Sequence, residues 1–194
     1  MLPRRLGRAA LLLALLAACL APARVVADGF TLSTKTSDIP ERGEVTLTVL
    51  RTGQHTLTFL APAGWRSQVN AAAGTITWTS TDDTSQLRLK INLSGSGQPT
   101  SLRPEDLRQV VLQELPAAEI TEEFTCHTGS GSGPAFDLER VVDGKFFISS
   151  RVAYVPFAGG RAEIHFSSPT DQFSQRLVEL TGFLNSIQMG GATP

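Results

Sequence analysis

This chain of 194 residues is poor in reactive side chains, with two cysteines, three histidines, one tyrosine and two tryptophans. Its cysteines are Cys19, inside an N-terminal apolar run, and Cys126. Once the first is discarded or modified, the second has no intrachain partner. Disulfide staples are then excluded, and the hydrophobic core alone must hold the domain. Charges nearly cancel, 17 Lys+Arg against 18 Asp+Glu, and they are dispersed. No basic block marks a nucleic-acid footprint and no acidic tail marks a solvating role. Past the N-terminal run, no apolar stretch approaches the about 20 residues that cross a bilayer. Cys-x-x-Cys, His-x-x-x-His, Gly-x-Ser-x-Gly and the P-loop Gly-Lys-Ser/Thr are all missing. The motif-level case for a zinc site, a serine hydrolase or a phosphate cradle is therefore gone.

What is present begins with the leader. Arg4, Arg5 and Arg8 precede an uninterrupted Ala/Leu stretch from Ala9 to Ala18, and small residues follow to Ala27. A basic head, an apolar stretch of roughly ten residues and a small-residue end describe an export signal. Leu16-Ala17-Ala18-Cys19 resembles the lipobox of bacterial lipoproteins. Cys19 is therefore a candidate lipidation site, where several acyl chains at about 0.8 kcal/mol per buried CH2 would anchor the protein stably. The competing cut lies after Ala27, where Val25-Val26-Ala27 suits a signal peptidase and Pro22 ends the apolar helix upstream. Both cuts place the mature protein outside the cytoplasm, in the periplasm or at the cell surface.

Period-two alternation dominates the mature chain, the pattern of half-buried strands. It predicts strands at Glu44–Leu50, with Val45, Leu47 and Val49 inward, and at His55–Leu60, joined by a turn at Arg51–Gln54. Further strands are predicted at Thr75–Thr79, Gln86–Leu93, Glu119–Thr125, Ala135–Val142, Lys145–Phe157 and Arg161–Phe166. Ser94–Thr100 and Thr128–Gly133 read as loops, Asp143-Gly144 and Gly159-Gly160 as tight turns. The period shifts to that of a helix at Pro104–Leu115, where Leu107, Val110, Val111 and Leu115 form one stripe. A second helix is predicted to be capped by Ser168, to start at Pro169 and to end at Gly190-Gly191. Its stripe is Phe173, Leu177, Leu180, Leu184 and Ile187.

Leu57-Thr58-Phe59-Leu60-Ala61-Pro62-Ala63-Gly64-Trp65, a strand running into Pro and Gly-Trp, resembles the start of PsbP-like domains. The tail, Ile164-His165-Phe166-Ser167-Ser168-Pro169 and then a helix closing on Phe183-Leu184-Asn185-Ser186-Ile187, is similar to the end of that family. The resemblance implies an α+β fold, an α/β/α sandwich around an antiparallel sheet. It also implies an accessory, protein-binding role with no shared catalytic residues. The expected organisation is an export signal at 1–27, added strands or an extension at 28–54, a PsbP-like domain at 55–188 and a tail at 189–194.

Candidate chemistry is thin. Cys126-His127 is the one Cys/His neighbour pair, but adjacent strand residues diverge, and Cys126 shares parity with apolar Ile120 and Phe124. His55, His127 and His165 lack ligand spacing and read as exposed scatter, His165 lying opposite Ile164 and Phe166. Asp82-Asp83 and Glu122-Glu123 lack the pattern of a calcium loop, and the first pair suits a turn. Gly129–Gly133 reads as a flexible connection. Trp78 reads as core, and Trp65 as a plug at the sheet edge.

The expectation is a non-catalytic accessory or protein-binding module of the cell envelope, with no cofactor and no metal site. Its expected partner is another envelope protein, not nucleic acid, and any membrane contact runs through Cys19. The alternative is a small-ligand-binding or hydrolytic protein using a pocket between the sheet and a helix, which requires convergent polar groups there.

Overall fold

The computed structural model describes residues 29–39, 43–94 and 103–190. The leader, Cys19 and most of the Ser94–Thr100 linker lie outside them. Two antiparallel sheets and two helices make a mixed α+β fold. The smaller sheet joins β1 (Thr31–Ile39), β2 (Gly43–Thr52), β3 (His55–Phe59) and β11 (Gln188–Gly190) in that order. The larger runs β4-β5-β6-β10-β9-β8-β7. Its strands are β4 (Arg66–Asn70), β5 (Thr75–Thr79), β6 (Gln86–Leu93), β7 (Ala118–Thr128), β8 (Gly131–Val142), β9 (Phe146–Phe157) and β10 (Gly160–Pro169).

The helices α1 (Pro104–Glu114) and α2 (Thr170–Ser186) cover opposite faces of the large sheet. Leu107, Val111 and Leu115 of α1 pack on Phe136, Leu138, Val152 and Tyr154. On the other face, Phe173, Leu180, Phe183 and Leu184 of α2 join Ile76, Trp78, Leu87, Leu89, Ile164 and Phe166, along with Leu50, Leu57 and Phe59 from the small sheet. Strand β9 is the spine between these two cores. Residues Val152, Ala153, Tyr154 and Val155 are all buried, as an unbroken apolar run in a sheet covered on both sides should be.

Several local features differ from the expectations. In β2, Val49 is buried and Val45 and Leu47 are half-buried, as their shared parity predicts, but Leu50 of the opposite parity also enters the main core. Pairing decides this, because Leu50 sits opposite Leu57 across the β2–β3 ladder. In β7, the register slips between Ile120 and Glu122. The bulge leaves Ile120 with the α1 cluster and turns Phe124 and Cys126 to the α2 side, breaking the parity they share in sequence. Ser168 does not cap α2. It is buried, accepting the Ser85 hydroxyl at 3.0 Å, while Pro169 occupies the cap position without a side-chain bond. Helix α2 ends at Ser186, and the residues beyond Ile187 pair with β3 as β11. Strand β4 escaped the sequence reading because all five of its residues are exposed and it carries no alternation.

The glycine run at 129–133 is not a slack connection. Only Gly129 and Ser130 lie between β7 and β8. The Ser130 hydroxyl accepts the Met189 N–H at 2.9 Å, and Gly129 N–H reaches Leu184 O at 3.4 Å, which ties the turn to the end of α2. At Gly133 a Cβ would fall 1.9 Å from Tyr154 O, so the backbone approach there requires glycine. Gly133→Ala is expected to lose on the order of 3 kcal/mol of stability through overpacking. Gly182→Ala, at an exposed helical site with nothing within 4 Å of the new Cβ, is expected to gain about 0.5–1 kcal/mol. Urea unfolding of the two variants checks the opposite signs.

Candidate functional site

On the α1 side of the large sheet, the apolar floor under the helix gives way to a polar margin. Register defines it. Arg88 of β6 pairs with His165 of β10, which pairs with Val152 of β9. Lys90 pairs with Glu163, which pairs with Tyr154. Ser150 stands opposite Ser167 on one side and Leu138 on the other, and Arg140 follows Leu138 on the same face of β8. Directly opposite and diagonal neighbours on a sheet face lie within about 8 Å of one another.

Part of this margin is a closed ion network. Glu163 is only 6% exposed, and it receives Arg161 at 2.6 Å and Lys90 at 3.1 Å. Burial alone would raise its carboxyl pKa, but the bond from Arg161 and the charges of both cations hold it below the ordinary value. The Arg161 guanidinium also lies over the Tyr154 ring, 5.3 Å from its centroid. Burial drives the Tyr154 hydroxyl pKa well up, with the Glu163 charge adding to it.

The remainder is open in hydrogen-bonding terms. Arg88 donates to Glu114 of α1 at 3.3 Å and lies 3.4 Å from His165 Nδ1. Burial, reinforced by the charges of Arg88 and Arg140, lowers the His165 pKa to about 4, so the ring is neutral at pH 7. Among the described residues, six buried side-chain polar atoms have no hydrogen-bond partner: Asn92 Nδ2, Arg140 Nε, Ser150 Oγ, Tyr154 OH, Arg161 Nε and His165 Nε2. All belong to this one face.

His165 is thus not exposed scatter. Its strand neighbours point it away from the α2 core, as its parity demands, but on the other side its ring is half-buried, with Arg88 3.4 Å from Nδ1 and Nε2 shielded from water. The missed signal lay in β9. An apolar run through Tyr154 announces that both faces are covered, so the charged positions of β10 beside it cannot all face water.

The other candidates scatter. Cys126 is buried, and that burial raises its thiol pKa, while His127 on the opposite face is exposed. His55 packs edge-on to Phe157 at 5.5 Å. Asp82 caps the β5–β6 turn and receives Arg176 of α2 at 2.8 Å, and bonds from Ser80 and Thr84 lower its pKa to about 2. Asp83 pairs with Arg66, and Glu123 with Arg108. Trp78 is 3% exposed, and Trp65 is partly buried against Phe166. Among the described residues, no three His, Cys, Asp or Glu side chains gather to hold a metal, and no helix is long and apolar enough to cross a membrane.

A second feature stands at the β8–β9 hairpin tip. Asp143 and Gly144 both have positive φ, as an Asp-Gly turn allows, and with Lys145 they make the three-residue connection between Val142 and Phe146. Beside it Val141, Phe146 and Phe147 are 48%, 61% and 64% exposed. The two phenylalanines line a groove of 610 Å³ against Pro169–Gln172, with Lys145 and Asp171 on its rim.

No family model matches the chain, and no curated protein matches it in sequence. Its likeness is to solved structures. The solution structure of cyanobacterial PsbP (CyanoP) from Synechocystis sp. PCC 6803 aligns with a TM-score of 0.52 at 13% identity, over 81% of this chain and 93% of that one. LpqN, involved in cell envelope biogenesis of Mycobacterium tuberculosis, scores 0.43 at 12% identity over 84% and 92% of the two chains. The Saccharomyces cerevisiae Ran-binding protein Mog1p scores 0.45 at 11% identity over 81% and 96%. Only the first score is high enough to bear on architecture, and at such identity it speaks for the fold alone. That architecture agrees with the strand-to-Gly-Trp start and the strand-to-helix tail read in the sequence: the chain has a PsbP-like, α+β fold.

Proposed function

We propose that this is an exported, non-catalytic accessory protein of the cell envelope that binds another envelope protein through the β8–β9 hairpin tip. The exposure of Phe146 and Phe147 carries the reading. Two adjacent strand residues point to opposite faces, so ordinarily one of such a pair is buried. Here both are left exposed, beside the first turn of α2. Large aromatics left in water beside a groove, rimmed by Lys145 and Asp171, have the make-up of an interface: an apolar centre with a polar rim. The partner this fits presents an apolar side chain flanked by charges of both signs.

The leader supports export, and the PsbP-like fold supports an accessory role over catalysis by analogy. In this reading residues 1–27 are the export signal, 28–54 add strands and 55–188 are a PsbP-like α/β/α sandwich, while the expected tail at 189–194 begins within β11. Cofactors play no part, nucleic acid is not a partner, and membrane contact is confined to a lipid on Cys19 if that residue is retained.

Two outcomes test this. Mass spectrometry of the mature protein should find either an acylated Cys19 terminus or a free Asp28 terminus, and a chain still carrying Met1–Ala18 contradicts export. In pull-downs from its own envelope, Phe146→Ser/Phe147→Ser should lose a specific wild-type partner at least tenfold, since a central aromatic pair contributes about 2 kcal/mol or more to an interface. Val178→Ser, at a still more exposed position on α2, should keep it. Equal recovery with the double variant contradicts docking at the tip.

A further inference from the structure

We propose that Arg140, Ser150 and His165, at the margin of α1, form a binding site for one oxyanion group, a phosphate or a carboxylate carried by a small ligand. The site is distinct from the hairpin-tip groove, and the inference does not rest on protein binding there.

Three observations lead to it. The first is hydrogen-bond polarity. A guanidinium can only donate, so the contact between Arg88 and His165 makes Nδ1 the acceptor. The neutral ring then carries its proton on Nε2, which is buried and unpartnered. Arg140 Nε is also a donor with no partner, and the Ser150 hydroxyl is free to donate. These donors share one face with Tyr154, a side chain 2% exposed whose hydroxyl also lacks a partner. A buried group left without a hydrogen bond costs about 1–3 kcal/mol, so several on one face call for a shared acceptor.

The second is charge. Arg88, Lys90, Arg140 and Arg161 lie on this face against the two carboxylates Glu114 and Glu163. Arg88 is paired to Glu114, while Lys90 and Arg161 are both paired to Glu163. Arg140 has no ion-pair or hydrogen-bond partner among the described residues. Water would satisfy the donors but would leave this excess of positive charge. An anion answers both.

The third is access. The Arg88 and Glu114 side chains are each 37% exposed, so solvent reaches the edge of the margin beside His165, while the three donor atoms themselves are buried behind it. An oxyanion at this point accepts from Arg140, Ser150 and His165 and draws Arg88 partly from Glu114. No covalent step is implied.

The test uses the mature protein with inorganic phosphate and with acetate as probes, at ionic strength held constant with sodium chloride. The readout is the imidazole ¹⁵N spectrum, in which His165 should appear at pH 7 as the neutral Nε2–H tautomer. A saturable shift of Nε2 with phosphate but not acetate assigns a phosphoryl ligand, and the converse assigns a carboxylate. The exposed ring of His127 should not respond saturably to either. By linkage, bound anion should also raise the His165 pKa from its depressed value. Arg140→Gln should weaken binding at least tenfold while its unfolding midpoint and its His165 tautomer stay those of the wild type. Absence of a saturable response to both probes, or wild-type affinity in Arg140→Gln, overturns the proposal.

Discussion

Three aromatic rings hold the molecule together. Phe59 of β3, Trp78 of β5 and Phe183 of α2 meet edge to face, with centroids 5.6, 5.4 and 5.6 Å apart. Each ring comes from a different structural unit: the small sheet, the large sheet and the helix between them. Edge-to-face pairs contribute about 0.5–1.5 kcal/mol each beyond the area they bury. Their geometry also fixes how the three units sit, because a ring edge must meet a ring face. With Cys126 as the only cysteine among the described residues, no covalent link shares this task.

That constraint determines where function can reside. Leu50, Leu57, Ile76, Leu89, Phe166, Leu180 and Leu184 close around the three rings, so the α2 side of the large sheet holds a continuous apolar core, and its polar groups there, such as the Arg151–Asp137 pair beside Phe124, are already partnered. Helix α1 is shorter and covers only the β8–β9 half of the opposite face. Uncovered positions therefore lie beside α1, where charged residues of β6 and β10 meet its margin, and at the hairpin tip, where Phe146 and Phe147 are left exposed beside the first turn of α2. The two candidate surfaces follow from the mismatch between long strands and short helices.

The sequence made the elements legible because most strands are covered on one face and alternate cleanly, as Leu87, Leu89 and Ile91 do in β6. Both helices were legible from their stripes, and α1 starts at Pro104 with Glu105 and Asp106 in its first turn, as its sequence requires. What stayed hidden depends on contacts distant in the chain. Strand β4 has no buried residue to announce it, β11 is three residues long, and the β7 bulge reverses a parity that sequence alone must assume constant. The polar margin was hidden for the same reason. Arg88 and His165 look outward in strand parity, and only the fold shows that this side is partly closed, with the Arg88 side chain 37% exposed and His165 Nε2 buried.

Both sheets and α2 form one core keyed by Phe59, Trp78 and Phe183. Native-state hydrogen exchange tests it directly. The slowest amides of β3, β5 and α2 should open with the same free energy and the same denaturant dependence, as one cooperative unit. If β3 and its neighbours exchange at a distinctly lower free energy than β5 and α2, the small sheet is a separable appendage and the account is wrong.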